Sequence, residues 1–462
     1  MGTVTNAMRM ARWLLLLLAL AVVSGGLLWA VSLTRPAAPS SVYPAPSTEP
    51  TELMADTPTP VIAGATLNAA TRAAATQTAQ FEPHDTDAPP PRAPTPTITP
   101  SAYVVFLPDT MRYGPTETAT VVFVVPPPTP NWPDGLSGMT NSKLSLHALG
   151  AGDPYIMEFV RRVHPRVLKA VDDVGWLTEV KAVSSATVTV GRLSGQDESW
   201  AGTVDPNEAA DRYIASQIER YRLNPGVDYW EGWNEYDPND DAKLQWYGQF
   251  EAARACKMQA LGLRAAVGGF ATGVPEYREM EFFLPALQAA AACGGIFTLH
   301  EYNSPTLDCG VGLTSQDRIP GAPDLPGVTV GYLSLRYRYW YEGLLKPRGL
   351  GALPLVISEL GIQGPGTTCG DTGTMTGGWK TYADWWVQRG LGPDGPQAYV
   401  NTLAWYDQQI QQDPYVIGAT IFTAGATDAS NGWHSFDINE VIVPLAYYAV
   451  SAPAAPITTA YP

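Results

Sequence analysis

From Ser142 onward, the sequence alternates short apolar runs of β-type residues with stretches of helical pattern. This alternation is typical of a parallel sheet whose strands are joined by crossover helices. Eight strands are predicted, at Leu144–Leu149, Val167–Val171, Thr187–Arg192, Asp228–Trp233, Ala265–Gly269, Ile296–His300, Pro354–Glu359 and Val416–Phe422. The helices predicted between them include Asn207–Arg222, Asp241–Leu261, Glu276–Ala292 and Tyr332–Leu345. Eight strands in about 310 residues predict a (β/α)8 TIM barrel, an α/β fold.

The structural alternative is a doubly wound sheet, but no Gly-rich turn follows the first predicted strand. In a barrel, the functional site is built from the carboxyl ends of the strands. The polar residues at those ends are His147, Arg192, Asn234-Glu235, His300-Glu301-Tyr302 and Glu359. These side chains are carboxylates and hydrogen-bonding groups, without a nucleophilic Ser or Cys arrangement, and they are typical of a site for sugars.

The sequence gives no support for metal or cofactor chemistry. It has only five histidines, none of them paired at metal-ligand spacing, and it has no His-Glu-x-x-His helix. We therefore predict that the protein needs no cofactor and no metal.

Glu235 and Glu359 end the fourth and seventh strands, which lie on opposite sides of a barrel mouth. Cleavage of a glycosidic bond needs such a pair, because one carboxyl group protonates the leaving oxygen while the other attacks the sugar or activates water. A separation of about 5–5.5 Å indicates a retaining mechanism, and about 6.5–9.5 Å an inverting one.

The motifs around these carboxylates resemble those of glycoside hydrolase clan A. The segment Trp233-Asn234-Glu235 ends the fourth strand, and Ile357-Ser358-Glu359-Leu360-Gly361 lies on the seventh. The preceding Tyr229-Trp230-Glu231 is most similar to the family 39-like branch, with family 5 as the second match. The resemblance implies a retaining mechanism with Glu235 as acid/base and Glu359 as nucleophile.

The same resemblance implies roles for further residues. Asn234 would bind the sugar 2-hydroxyl, and Tyr302, in a segment similar to the clan's His-x-Tyr, would orient the nucleophile. His147, Arg192 and His300 are counted with them as substrate-binding residues. Glu231 is predicted to point inward and pair with a buried cation, for which Arg192 is a candidate, and Glu301 is predicted to face away from the site because side chains alternate along a strand.

The eighth strand departs from the clan's pattern, in which a Trp forms the floor beneath the reacting sugar. Here the strand ends in Phe422-Thr423-Ala424-Gly425, and the nearest tryptophan is Trp433. We predict that a loop brings Trp433 into that place. Tyr236 also replaces the usual Pro after Asn-Glu, and both departures bear on the choice of substrate.

The N-terminal third is predicted to anchor the barrel to a membrane through a linker. Trp13–Leu33 is an apolar run of 21 residues preceded by two arginines, which predicts a single transmembrane anchor with the N-terminus inside. A cleaved signal peptide, ending near Ala30–Ser32, is the alternative. Residues 36–138 are rich in Pro and Thr and are predicted to be an extended linker. The predicted domains are thus residues 1–35, 36–138, 139–452 and a tail at 453–462.

Composition narrows the choice of partner. A net charge of -16 repels phosphate backbones, which excludes nucleic acid as a partner, whereas 14 Trp and 22 Tyr suit neutral sugars. Outside the cell, four cysteines without a metal motif predict two disulfides, Cys256–Cys293 and Cys309–Cys369, with buried free thiols as the alternative.

Together these features predict a cell-surface retaining glycosidase that acts on β-linked oligo- or polysaccharides, with transglycosylation left open. The alternative from another functional class is a non-catalytic carbohydrate-binding or envelope-adhesion module on a degenerate barrel.

Overall fold

The computed structural model describes residues 130–150, 153–238, 240–312, 319, 321–365, 369 and 375–454. The predicted anchor at residues 1–35 and the predicted linker up to residue 129 lie outside these residues, as does the tail after residue 454. Within the described part of the chain, no helix is both long enough and apolar enough to cross a membrane.

Eight strands form a closed barrel in chain order, each of them parallel to its neighbours. They are β1 (Leu144–Ala148), β2 (Val167–Val171), β3 (Val188–Arg192), β4 (Tyr229–Glu231), β5 (Ala265–Phe270), β6 (Ile296–Asn303), β7 (Leu355–Ile362) and β8 (Val416–Ala424). Pairing of β1 with β8, with Leu144 opposite Ala419, closes the ring. The (β/α)8 prediction is confirmed, and the doubly wound alternative was wrong.

Nine α-helices lie between and after the strands in the described residues. They are α1 (Pro154–Val163), α2 (Leu177–Val183), α3 (Pro206–Leu223), α4 (Asp241–Ala260), α5 (Met280–Ala292), α6 (Tyr337–Trp340), α7 (Ala383–Gln388), α8 (Gly395–Ile410) and α9 (Asn439–Ser451). Aspartates cap the N-termini of α1, α3, α4 and α8 by accepting hydrogen bonds from backbone N–H groups.

The predicted strands match the observed ones closely, but β6 and β7 each continue three residues beyond the predicted ends at His300 and Glu359. The polar residues that seemed to end these strands are still hydrogen-bonded to the neighbouring strand. His300 lies opposite Glu359 in the register of β6 and β7, and Tyr302 lies opposite Gly361. The register therefore brings the sixth-strand motif beside the seventh-strand carboxylate.

The inside of the barrel is aliphatic near the amino ends of the strands and polar near their carboxyl ends. Val167, Val190, Ala266, Ile296 and Val356 form one small buried cluster. Farther along the strands, the buried side chains include His147, Lys169, Glu231, His300 and Glu359. Charged groups buried this deeply are costly unless they are paired, so this layer marks the functional site.

Outside the barrel, a buried ion pair on α4 packs against β4. Glu251 and Arg254 on α4 are both fully buried, with 2.7 Å between Arg254 Nη2 and Glu251 Oε2. Arg254 also donates hydrogen bonds to the carbonyl oxygens of Trp230 and Ala266, which joins α4 to β4 and β5.

Both predicted disulfides are confirmed. Cys256–Cys293 joins α4 to the end of α5, and Cys309–Cys369 joins the loop after β6 to the loop after β7.

Candidate active site

Glu359 lies at the centre of the polar layer. Its side chain is 7% exposed, and each of its oxygens has more than one partner. Nζ of Lys169 and Nη1 of Arg192 donate to Oε1 at 3.2 and 3.1 Å. The hydroxyl of Tyr302 donates to Oε2 at 2.8 Å. The carboxyl group is therefore held in one orientation from three strands.

These neighbours decide the ionisation of Glu359. Burial by itself would raise its pKa, but His300, Lys169 and Arg192 hold the pKa well below its usual range. Glu359 is consequently an ionised carboxylate near neutral pH, which is the form that can attack a sugar carbon.

Glu235 follows β4 in a loop with an uncommon backbone conformation. Its φ is +53°, in the left-handed region that non-glycine residues adopt at a cost of about 1–3 kcal/mol. Its N–H donates to the carbonyl oxygen of Gly269 at 2.9 Å. The side chain is 34% exposed, so its carboxyl group can contact a ligand in the barrel mouth while the backbone hydrogen bond fixes the position of the residue.

His300 connects the two carboxylates. Its Nδ1 lies 2.8 Å from Oε1 of Glu235 and 3.6 Å from Oε2 of Glu359. One carboxylate oxygen of each glutamate and one ring nitrogen of His300 all lie within 4.8 Å of one another. One oxygen of Glu235 and one oxygen of Glu359 therefore lie on the same side of the barrel mouth, within reach of one bound molecule.

The spacing of these three groups would also allow a metal ion. However, Lys169 and Arg192 already place two positive charges within 3.2 Å of Glu359. A divalent cation in contact with Glu359 would be repelled by both, so the charge pattern favours a sugar over a metal.

Tyr302 occupies the position that the resemblance implied. Its hydroxyl contacts Glu359, and its ring packs against Phe422 at 6.3 Å and Phe436 at 6.5 Å between centroids. Burial and the neighbouring Glu359 raise the pKa of Tyr302 well above its usual value, so the phenol stays protonated and can donate.

Arg192 and His147 both contact Glu359. His147 is fully buried, with Nε2 3.6 Å from Oε1 of Glu359 and Nδ1 3.0 Å from Oγ1 of Thr423. Burial and the charge of Lys169 hold the pKa of His147 well below its usual value, so the imidazole is neutral. Both side chains were predicted to bind substrate hydroxyls, and both lie where they orient Glu359.

Glu231 points inward, as predicted, and its nearest cation is a different one from the candidate. Nζ of Lys169 lies 2.8 Å from Oε2 of Glu231, and both side chains are buried. Arg192 acts on Glu231 at longer range. Burial alone would raise the pKa of Glu231, but the charges of Lys169 and Arg192 outweigh burial and lower the pKa to about 2.

Lys169 was not identified from the sequence, because it lies in mid-strand, where its neighbours Leu168 and Ala170 suggested only an apolar run. The signal that could have identified it was a single lysine within an otherwise apolar strand, because a buried lysine needs a charged partner.

Trp433 lies with the aromatic residues at the end of β8. Its ring is 5.3 Å from that of Phe422 and 5.8 Å from that of Phe436, and it is partly exposed. Phe422 in turn lies 4.8 Å from His147. The loop after β8 therefore brings a tryptophan to the cluster that contains Tyr302.

Asn234 and Glu301 differ in their surroundings. Asn234 is exposed beside Glu235, whereas the preceding Trp233 is buried and stacks on Phe250 at 4.7 Å, which anchors the loop. Glu301 faces away from the site, as predicted, and accepts hydrogen bonds from the N–H groups of Leu335, Arg336 and Tyr337 ahead of α6 and from the hydroxyl of Tyr406.

No protein-family model and no curated protein matches this sequence. Among solved structures, the chain is similar to a family 39 glycoside hydrolase from Bacteroides cellulosilyticus WH2, with a TM-score of 0.41 and 12% identity over 68% of this chain and 65% of that one. It is similar to a family 5 xyloglucanase from Paenibacillus pabuli, with a TM-score of 0.36 and 10% identity over 67% and 99% of the chains.

A GH128 endo-β-1,3-glucanase from Amycolatopsis mediterranei is a further similar structure, with a TM-score of 0.34 and 11% identity over 66% and 99% of the chains. These three similar structures are glycoside hydrolases of families 39, 5 and 128.

Proposed function

We propose that this protein is a retaining glycoside hydrolase in which Glu235 is the acid/base and Glu359 is the nucleophile. The observation that carries the proposal is the pair of carboxylates with oxygen atoms within 4.8 Å of each other at the carboxyl ends of β4 and β7. The two groups differ in their surroundings in the way that double displacement needs. Glu359 is buried among cations, while Glu235 is partly exposed and contacts His300.

In the first step, Glu359 attacks the anomeric carbon of the bound sugar through one carboxylate oxygen. The glycosidic C–O bond breaks, and Glu235 gives its proton to the departing oxygen, which leaves as an alcohol. Because Glu359 is held as a carboxylate, the acid role falls to Glu235. The products of this step are a covalent glycosyl ester on Glu359 and an ionised Glu235.

In the second step, a water molecule takes the place of the leaving alcohol. Glu235 accepts a proton from the water, whose oxygen attacks the anomeric carbon and breaks the ester bond to Glu359. Lys169, Arg192 and Tyr302 stabilise the negative charge that returns to Glu359. Two inversions at one carbon give net retention. A sugar hydroxyl in place of water would give transglycosylation by the same route.

The proposal extends to the substrate and to the place of action. We propose a β-linked glycan outside the cell, on two grounds. The clan A motifs are found in β-glycosidases, and the apolar run Trp13–Leu33 would tether the barrel to the outer face of the membrane through the linker. Trp433 and the exposed Asn234 would contact the sugar from opposite strands.

A non-catalytic sugar-binding barrel is the competing function. A binding module does not need a buried carboxylate kept ionised by the buried Lys169 and the partly exposed Arg192, because sugars are neutral and burying such a group is costly. The arrangement around Glu359 therefore favours the enzyme.

The proposal is tested with the full-length chain in detergent and a panel of aryl β-glycosides and β-glucan, mannan and xylan oligosaccharides. Proton NMR of the fresh product shows its anomeric configuration before mutarotation. The β-anomer as first product supports the proposal, the α-anomer shows inversion and contradicts it, and binding without any cleavage across the panel supports the binding module. Glu359→Gln is the control for a contaminating glycosidase.

A further inference from the structure

Lys169 occupies an unusual place for a lysine. It lies in the middle of β2, its side chain has no exposed surface, and its ammonium group is 2.8 Å from Glu231 and 3.2 Å from Glu359. One positive charge is therefore shared between two carboxylates that come from β4 and β7. A change in the charge of either carboxylate therefore alters the electrostatic environment of the other and of the ammonium group that contacts both.

The remaining groups that face Glu359 come from the other strands of the barrel. β5 and β8 contain no charged residue. The facing groups are His147 from β1, Lys169 from β2, Arg192 from β3, Glu231 and Glu235 from β4 and the loop after it, and His300 and Tyr302 from β6. Among these groups, Lys169 and Arg192 are cations that contact Glu359 directly, and Glu231 is an anion that contacts Lys169.

Glu231 has no direct route to the substrate. It is 3% exposed, and in the described structure its close cationic neighbour is Lys169, which lies between it and the nucleophile. The shortest link from Glu231 to Glu359 therefore runs through Lys169, with Arg192 acting on both carboxylates at longer range from Glu231. Removal of Glu231 would remove the anion that competes with Glu359 for the ammonium group. Removal of Lys169 would instead leave the two carboxylates without the cation that contacts both of them in a buried site.

We infer that Lys169 and Glu231 are a pair of positioning residues with opposite effects on the nucleophile. Lys169 fixes Oε1 of Glu359 and keeps the group ionised, and Glu231 limits that attraction by competing for the same ammonium group. This inference rests on the proposed function, because it concerns the ionisation of Glu359 in turnover.

A purely structural pair would behave differently. Were Lys169 and Glu231 there only to hold the barrel together, each substitution would lower stability and total activity, and the pH range of the remaining activity would not change. The positioning role predicts that the acid limb of the pH profile moves, and that it moves differently for the two residues.

The test is the pH dependence of kcat/KM with 2,4-dinitrophenyl β-glycosides, using the full-length chain. This leaving group needs no proton, so the acid limb reports the ionisation of Glu359 in the free enzyme. In Lys169→Met, we expect the limb to rise by about 1–3 pH units, the effect of removing an opposite charge at this distance. In Glu231→Gln, we expect the limb to stay at or below that of the wild type.

Two further variants guard against loss of folding. Lys169→Met leaves Glu231 buried and unpaired, so the double variant Lys169→Met/Glu231→Gln removes both charges and should fold better. Its acid limb should lie above that of the wild type, as in Lys169→Met. Glu251→Gln is the matched control, since it breaks a buried ion pair with Arg254 behind β4, and it should lower the melting temperature without moving the limb.

An acid limb that coincides with the wild type in both Lys169→Met and the double variant overturns the inference. So does a limb that rises equally in Glu231→Gln and Lys169→Met. If the wild-type protein hydrolyses none of the glycosides, both the proposed function and the inference fail. If the wild type is active but the acid limb does not move in the variants, only the inference fails.

Discussion

The hydroxyl of Tyr302 donates a hydrogen bond of 2.8 Å to Oε2 of Glu359 across the β6–β7 pair. Because Lys169 and Arg192 contact the other oxygen, Tyr302 fixes the rotation of the carboxylate about its own axis. In the proposed mechanism, a carboxylate held in this way presents its lone pair to the anomeric carbon without having to reorient.

We therefore expect Tyr302→Phe to lower kcat by about 10–100-fold, because loss of one charge-assisted hydrogen bond costs about 1.5–3 kcal/mol. Steady-state kinetics on an aryl glycoside measures the change. Tyr406→Phe is the matched control, since it removes a hydroxyl from another buried carboxylate, Glu301, on the opposite side of β6. Equal losses of kcat in the two variants would show that Tyr302 acts only through the fold.

Glu235, the proposed acid/base residue, should show its role through the leaving group. In Glu235→Ala, we expect hydrolysis of substrates with poor leaving groups to fall by about 10²–10⁴-fold, the usual contribution of a general acid. Substrates with a dinitrophenyl leaving group should form the intermediate normally and then accumulate it. Added azide should restore turnover and yield a β-glycosyl azide, detected by NMR; no rescue and no burst would assign the acid/base role elsewhere.

Stability should fall in acid partly because of Glu231. Its pKa is lowered to about 2 in the folded protein, from a usual value of 4.5, so its stabilising contribution is complete above pH 4.5 and is lost as the pH falls towards 2. The shift corresponds to on the order of 3 kcal/mol for this buried group.

Melting temperatures between pH 7 and pH 2.5 test this expectation. The wild type should lose more stability over the acid part of the range than Glu231→Gln, which has no carboxyl group to protonate. Parallel curves for the two proteins would mean that the ion pair with Lys169 contributes nothing to acid sensitivity.

The two disulfides should have separable effects. Cys256–Cys293 closes a loop of 37 residues on the outer helices, and its removal by alanine substitution should lower the free energy of unfolding by about 3–4 kcal/mol while leaving KM unchanged. Cys309–Cys369 joins loops at the carboxyl ends of β6 and β7, so its removal should raise KM as well. Denaturant unfolding and kinetics on both double-alanine variants distinguish the cases, and a raised KM in the first variant would contradict this assignment.

The barrel and its two carboxylates could be predicted from the sequence because both depend on local pattern. Each strand is a short apolar run, and Glu359 lies within the seventh strand while Glu235 follows the fourth by four residues. Alternation along β6 was sufficient to place Glu301 away from His300 and Tyr302.

Lys169 could not be placed in the same way, because its role comes from the closure of the ring. Nothing in the run Val167–Val171 shows that the lysine side chain will meet residues from β4 and β7, which follow it by 62 and 190 residues. For the same reason, the predicted partner of Glu231 was Arg192 on the neighbouring strand β3, whereas the cation that contacts Glu231 is Lys169 on β2.

Formation of a covalent bond between Glu359 and the sugar is the step that defines the proposed mechanism. It is tested by incubating the full-length chain with a panel of activated 2-deoxy-2-fluoro-β-glycosides and mapping the adduct by peptide mass spectrometry. We predict one stable adduct, on Glu359 in the peptide that contains Ile357–Gly361, and no adduct in Glu359→Gln. An adduct on another residue, or time-dependent inactivation by none of the probes in a protein that hydrolyses the parent glycosides, would contradict the assignment.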